Sequence, residues 1–306
     1  MAKYRILSMD GGGIRGLFTS VLLDRISAQF PALLPKVDLI AGTSTGGIIA
    51  ILLAAGKPPS EVIDLYSKHA KEIFDDSWFD DIKDMGTAIG SDYDNKKLKK
   101  RLEGALGKTR LRDLQKKVLI PTFDLDAPAD KDRPRMWNPK FFHNFPGPDS
   151  DGNEFAVDVA LRTSAAPTYF PAYQGYVDGG VVANNPGMAA LAQALDQQTG
   201  KQSLGDIALL SLGTGTEVKF IPQLNLDWGW TQWARPLVSM MIGGVMGVAD
   251  YQCERLLRDR YLRIDRYFDQ PVQMDNVKPE NLAYLKAQAT GVSPARTVHW
   301  LQTYWA

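Results

Sequence analysis

The sequence predicts an α/β fold built on a central, mostly parallel sheet flanked by helices. From Tyr4 to Ala55, strand-like and helix-like segments alternate, and the first two strand-like runs each lead through a glycine-rich turn into a helix. A later apolar run, Ile207 to Leu212, ends in Gly213-Thr-Gly215 in the same manner.

The elements follow in order. Tyr4 to Met9 reads as a strand, Leu17 to about Phe30 as a helix, Val37 to Ala41 as a strand and Thr45 to Ala55 as a helix. Gly56 and Pro58-Pro59 end that helix and prime the next, whose apolar stripe is Val62, Ile63, Leu65, Tyr66 and Ile73. Ser77 to Asp94 is acidic and irregular, either a surface loop or an excursion over a site. Asn95 to Leu106 reads as a helix with Leu98, Leu102, Ala105 and Leu106 on one side and five basic residues elsewhere, either a solvated outer face or a surface for anionic lipid. Val118 to Phe123 is a buried strand. Ala127 to Gly152, rich in proline and charge, reads as a loop or insertion. A short helix near Val157 to Arg162, a turn at Ser164-Ala-Ala-Pro167, the segment bearing Asp178 and a helix from about Pro186 to Gln197 precede the Ile207 strand. With no repeat or linker to divide it, the chain reads as one domain over 1–306, with a motif-bearing core of about 4–215 and a C-terminal extension of about 216–306.

Composition narrows the function. The 306 residues are 44% hydrophobic, enough for a substantial core, and 35 Lys+Arg balance 35 Asp+Glu. Zero net charge argues against a sequence-independent grip on nucleic acid as the main task. The N-terminus enters a strand without the pattern of a secretory signal, and the run Ile48 to Ala55 is too short to span a bilayer, so a cytoplasmic protein, peripheral at most to a membrane, is expected. The single cysteine, Cys253, forms no intrachain disulfide; it is either a small buried residue or a reactive thiol.

Ser44 sits in Gly42-Thr-Ser-Thr-Gly46, between the Val37 to Ala41 run and the apolar helix that follows, which is the strand, tight turn and helix of a nucleophile elbow. A serine hydroxyl needs a base for its proton and fixed donors for the oxyanion that follows. Gly11, Gly12 and Gly13 offer backbone N–H groups without side chains in the way, and Arg15 either steadies this loop or meets an anionic head group. Gly11, Gly13 and Gly16 also fit the G-x-G-x-x-G of a dinucleotide site, with Asp38 near the spacing of a ribose ligand, although Asp38 falls near the start of its strand rather than the end. Neither a nucleotide phosphate loop nor H-E-x-x-H is present, and no metal or cofactor is implied. For the base, only His299 among three histidines follows in nucleophile-acid-histidine order, and it lies among Trp300, Tyr304 and Trp305. Asp178, followed by Gly179-Gly180, is the other candidate, as a base whose proton affinity burial would raise, or as a residue folding its own turn.

Together, Asp10-Gly-Gly-Gly-Ile-Arg-Gly16, Gly42-Thr-Ser-Thr-Gly46, Thr163-Ser-Ala-Ala-Pro-Thr-Tyr-Phe170 and Asp178-Gly-Gly180 resemble the patatin-like phospholipases in kind and order. The resemblance covers roughly residues 4–215. It implies a three-layer fold around a mostly parallel sheet and a Ser/Asp dyad without histidine: Ser44 the nucleophile, Asp178 the base, Gly11, Gly12 and Gly13 the oxyanion loop. It also implies metal-free hydrolysis of phospholipid or other acyl esters through an acyl-enzyme, with transient contact at a membrane surface. Conditional activity, switched by a ligand or protein partner, is the alternative within the same fold. A channel for an acyl chain is expected from Trp228 to Trp233 and Met240 to Met246, as a lid, a bilayer-facing patch or a core helix.

Overall fold

Alternation along β1 (Tyr4–Met9) sorts the molecule into layers: Leu7 and Met9 enter one apolar cluster and Ile6 the other. The computed structural model describes residues 2–74, 95–167, 169–222 and 227–306. The expectation for Ser77 to Asp94 lies outside them. Among the described residues the main sheet has seven strands: β1, β2 (Leu39–Gly42), β3 (Lys117–Ala127), β4 (Met136–His143), β5 (Tyr176–Asp178), β6 (Ile207–Leu212) and β8 (Tyr261–Ile264). Its order is β4-β3-β2-β1-β6-β8, with β5 also paired to β3. A two-stranded sheet pairs β7 (Thr216–Glu217) with β9 (Tyr267–Phe268).

The strands β3, β2, β1, β6 and β8 run parallel, and β4 and β5 run antiparallel to β3. Helices cover both faces, as near-continuous apolar strands require. One face carries α1 (Gly16–Gln29), α3 (Thr45–Ala54), α4 (Pro59–Lys68), α6 (Asn95–Leu106), α7 (Ala156–Thr163), α11 (Pro279–Gly291) and α12 (Ala295–Tyr304), whose apolar residues join Leu7, Ile40, Val118 and Leu210. The other carries α9 (Gly187–Leu195) and the last turns of α10 (Trp230–Leu257), against Ile6, Leu39, Leu119 and Leu209. Short helices α2 (Leu33–Lys36), α5 (Ala70–Phe74) and α8 (Gly180–Ala183) complete the set. Helix α3 is apolar nearly all round, and all ten of its residues are buried.

Register levels the ends that matter. Met9 lies opposite both Gly42 and Leu212, so the chain leaves β1, β2 and β6 side by side at their carboxyl ends, where open α/β sheets form crevices. Antiparallel pairing of Thr122 with Asp178 brings β5 to the same end.

Two expectations need correction. Residues 127–152 are not only a loop, because Met136–His143 extends the hairpin from β3 as an edge strand. Pro139 fits there, since a strand pairing along one side leaves the missing donor harmless. The helix after Pro59 breaks at His69, so Ile73 belongs to the separate α5.

The C-terminal segment is built into the sheet: β8 pairs with β6, and the Trp305 indole is fully buried, donating to Leu33 O at 3.0 Å. Arg5 Nε in turn donates to Trp305 O at 3.0 Å. Removing this side chain leaves a cavity beneath β1, so Trp305→Ala is expected to cost about 3–5 kcal/mol. Urea unfolding checks this, and a change below about 1 kcal/mol would show that the terminus is dispensable.

Candidate active site

At the end of β2 the chain turns sharply enough that Ser44 takes φ 55° and ψ −123°, a left-handed conformation unusual for a residue with a side chain. The turn is tight because α3 starts at once. A Cβ on Gly46 would lie 2.3 Å from Met9 O, so only glycine lets the helix begin against the end of β1. The Ser44 N–H donates to Thr163 Oγ1 at 3.0 Å, and that hydroxyl donates to Pro121 O on β3 at 2.6 Å. The elbow is therefore pinned to α7 and β3. Ser44 itself is 9% exposed.

Asp178, at the end of β5, is 6% exposed and lies beside the Ser44 side chain, whose hydroxyl favours its ionised form. Its Oδ1 also accepts the Gly180 N–H at 2.7 Å. Burial pushes its carboxyl up to about 6, against the smaller opposing pulls of those two donors. The histidines stand elsewhere. His69 Nδ1 is 3.5 Å from Glu72, His143 is buried with Nε2 3.4 Å from Asp149, and His299 is exposed in a surface pocket with Arg258, Arg296 and Trp300.

The glycine loop lies beside the elbow, where a Cβ on Gly11 would come within 3.2 Å of Ser44 Cβ. Its three amides are not equivalent. Gly11 N–H donates to Asn184 O at 3.1 Å, whereas among the described residues the N–H groups of Gly12 and Gly13 have no acceptor. Gly13 takes φ 58° as it opens a 3₁₀ turn. Arg15 is buried, with Nε 3.4 Å from Gly12 O, and so braces the loop while lining the cavity described below.

Two hollows flank this arrangement. A pocket of about 30 Å³ opens directly at Ser44 and Gly13 and is walled by Ile48, Leu65, Ile73 and Leu98. The residues from Trp228 to Met246 do not line it, contrary to the expectation for an acyl channel. Ile242 and Met246 instead face a neighbouring cavity of about 960 Å³, which also reaches Asn184, Arg15 and Arg263. Among the described residues, no three His, Cys, Asp or Glu side chains converge where a metal could sit.

Several supporting residues carry no sequence motif of their own. Asn184 touches Gly11 O with Nδ2 at 3.3 Å and Met246 Sδ at 2.9 Å, Thr214 Oγ1 donates to Gly11 O at 2.9 Å, and Tyr66 OH meets Thr45 Oγ1. The dinucleotide reading loses its acid. Asp38 lies at the amino end of β2, away from the glycine loop, and accepts the Arg5 N–H at 2.8 Å. Cys253 is packed in the core, where burial raises its thiol to about 12.

Comparison with known proteins gives the family. A family model described as "Patatin-like phospholipase" matches residues 7–191. The chain is 37% identical over 230 residues to "Protein teg" of Priestia megaterium, covering 75% of this chain and 69% of that one. It is 30% identical over 334 residues to "Patatin-like protein 2" of Arabidopsis thaliana, covering 92% of this chain and 80% of that one. It is 37% identical over 244 residues to a "cGAMP-activated phospholipase" of Vibrio cholerae, covering 72% of this chain and 67% of that one. The chain belongs to the patatin-like phospholipase family.

Proposed function

We propose that this protein is a phospholipase A-type carboxylic ester hydrolase that cleaves acyl esters of phospholipids or related lipids with a Ser44/Asp178 dyad. The observation that carries the reading is the buried Asp178 carboxylate beside Ser44, which is held in its strained elbow, with no histidine at the pair. Asp178 accepts the Ser44 proton as Oγ bonds to the ester carbonyl carbon. The oxyanion is received by the free N–H groups of Gly12 and Gly13, while Gly11 spends its own N–H on Asn184 and fixes the loop. The carbon–oxygen bond to the alcohol then breaks, and Asp178 gives its proton to the departing oxygen. A water next attacks the acyl-enzyme, leaving one proton on Asp178, which returns it to Ser44 as the fatty acid is released.

The hollows suit the two halves of such a substrate. The apolar walls of the small pocket suit the acyl carbons next to the carbonyl, for which its roughly 30 Å³ has room, and the larger cavity, with its charged lining, favours the polar remainder. A second reading, in which hydrolysis waits on a ligand, is favoured by the relative from Vibrio cholerae. Assay of the purified protein on a short-chain ester with and without cGAMP separates the two, since full activity without it removes the conditional reading.

Ser44→Ala and Asp178→Asn are each expected to lower kcat/KM on that ester on the order of 10⁴-fold with the fold intact, whereas His299→Ala stays within about twofold. Near-normal turnover in either dyad variant, with circular dichroism unchanged, would overturn the mechanism.

Asp178 must be ionised to act, so kcat/KM is expected to fall about tenfold per pH unit below about 6 and to level off above it. The same burial sets a stability effect of opposite sense. An acid whose pKa is raised by folding weakens the fold progressively as pH climbs from the unfolded value near 4 to about 6; the penalty is constant above that and vanishes below the unfolded value. Asp178→Asn should therefore stabilise the protein by on the order of 3 kcal/mol at pH 8 and by nothing at pH 4. Denaturant unfolding at both pH values measures it, and equal stabilities at pH 8 would show that the carboxylate is not desolvated.

A further inference from the structure

We propose that the mouth of the 960 Å³ cavity seats on the surface of a lipid bilayer by apolar insertion, with α10 on one rim and residues 218–220 with Tyr267 on the other. The proposal rests on the lipid-hydrolase reading above for its choice of partner. Helix α10 runs over Trp230–Leu257, and between Pro236 and Ala249 it carries no charged residue. One face is used: Met246 accepts from Asn184, and Ala249, Cys253 and Leu257 are buried. Among the described residues, nothing covers several of its other apolar side chains. Val238, Met241, Val248 and Tyr251 recur at helical spacing and are each more than half exposed.

The opposite rim repeats the pattern. Phe220 is 82% and Tyr267 76% exposed, next to Lys219 and Glu217 of the cavity wall. Exposed apolar side chains thus stand on two elements that wall the cavity, on α10 along its outer face, while the cavity lining itself holds four basic and four acidic side chains. Exposed apolar patches of this kind mark a docking surface, and the cavity that the same elements wall selects the occupant. A protein seated here would stopper the approach to Asn184 and the glycine loop, while a bilayer delivers substrate through the same opening. No described helix is long and apolar enough to cross a membrane, so α10 would lie in the interfacial plane, with exposed Trp230 at its start in the region that tryptophan favours. Because the cavity's charges balance, attraction to anionic lipid is not the driving force.

The test uses the full chain as Ser44→Ala, to prevent turnover, sedimented with phosphatidylcholine vesicles. Binding is expected at low salt and undiminished in 0.5 M salt, because screening does not touch apolar insertion. The double variant Met241→Asp/Phe220→Asp should bind at least about tenfold more weakly, since each carboxylate would have to enter the interface. In the Ser44 background the same double variant should turn over a water-soluble short-chain ester at the normal rate. Unaltered vesicle binding by the double variant overturns the proposal. So does binding that requires anionic lipid and is lost in salt, or a dimer that the double variant converts to monomer while neither form binds vesicles. Failure of the hydrolase reading shows separately, as soluble-ester turnover that survives Ser44→Ala.

Discussion

The site depends on keeping Ser44 in a conformation that its own side chain disfavours. A left-handed residue of this kind costs about 1–3 kcal/mol and persists only where its surroundings dictate it. Here they do so from several directions. The parallel register of β1 and β2 sets where the turn must occur, Gly46 allows α3 to abut Met9 O, and Thr163 ties the Ser44 amide to β3 through Pro121. Ser44 O accepts the Ile48 N–H at 3.0 Å and so commits the next residues to helix. The hydroxyl is held off the backbone towards Asp178, whose own strand is registered on the same β3.

The glycine loop is held just as firmly, but from the far end of the chain. Asp10, fully buried, receives both terminal nitrogens of Arg263 on β8, at 3.0 and 2.6 Å. Arg263 also contacts Asp265 at 3.0 Å, and Asp265 accepts from Gly215 N–H and Thr216 Oγ1 at 2.9 Å each, fixing the turn from which Thr214 reaches Gly11 O. Met274 O takes the Ile14 N–H at 2.8 Å. The two carboxylates keep the Arg263 guanidinium charged against the effect of burial. Removing one partner of such a buried pair costs about 3–5 kcal/mol, and an apolar replacement of both would often be as stable. Its value here is geometric, because amides that receive a developing charge are useful only if they do not move.

This arrangement explains which parts were legible in the sequence. Ser44 was readable because a nucleophile elbow is local: strand, small residues and helix lie within one short segment. The fold class was readable for the same reason, since alternation of strand and helix needs no knowledge of contacts. On its own motif Asp178 stands between catalysis and a turn role; the pairing of β5 with β3 sets where it lies, a relation between residues far apart in sequence. Long-range contacts also hid the roles of Asn184, Thr163 and Arg263, which depend on partners far away in the sequence. The unequal standing of Gly11, Gly12 and Gly13 turns on a single carbonyl, Asn184 O. Strand β4 was obscured by its neighbours, because proline and charge in the hairpin tip outweighed the aromatic run Phe141-Phe142 that packs within it. The pocket at Ser44 draws its walls from four helices, so no window of sequence could contain it.

The C-terminal segment, which carried no motif, is what gives the site two unlike sides. Without β8, β9 and α10 the elbow would still stand beside the apolar pocket of Ile48, Leu65, Ile73 and Leu98, but the charged cavity would have no far wall. Moving the acyl carbons beside the carbonyl from that pocket to the cavity would forfeit about 0.8 kcal/mol for each methylene the pocket had covered. Moving a charged head group the other way would strip its hydration with nothing in the apolar pocket to replace it. Both penalties act in the same sense, so an amphiphilic ester presents its carbonyl to Ser44 in one orientation. In the proposed reaction the preference comes from pairing two hollows of opposite character across one nucleophile, and the segment without a motif supplies half of it.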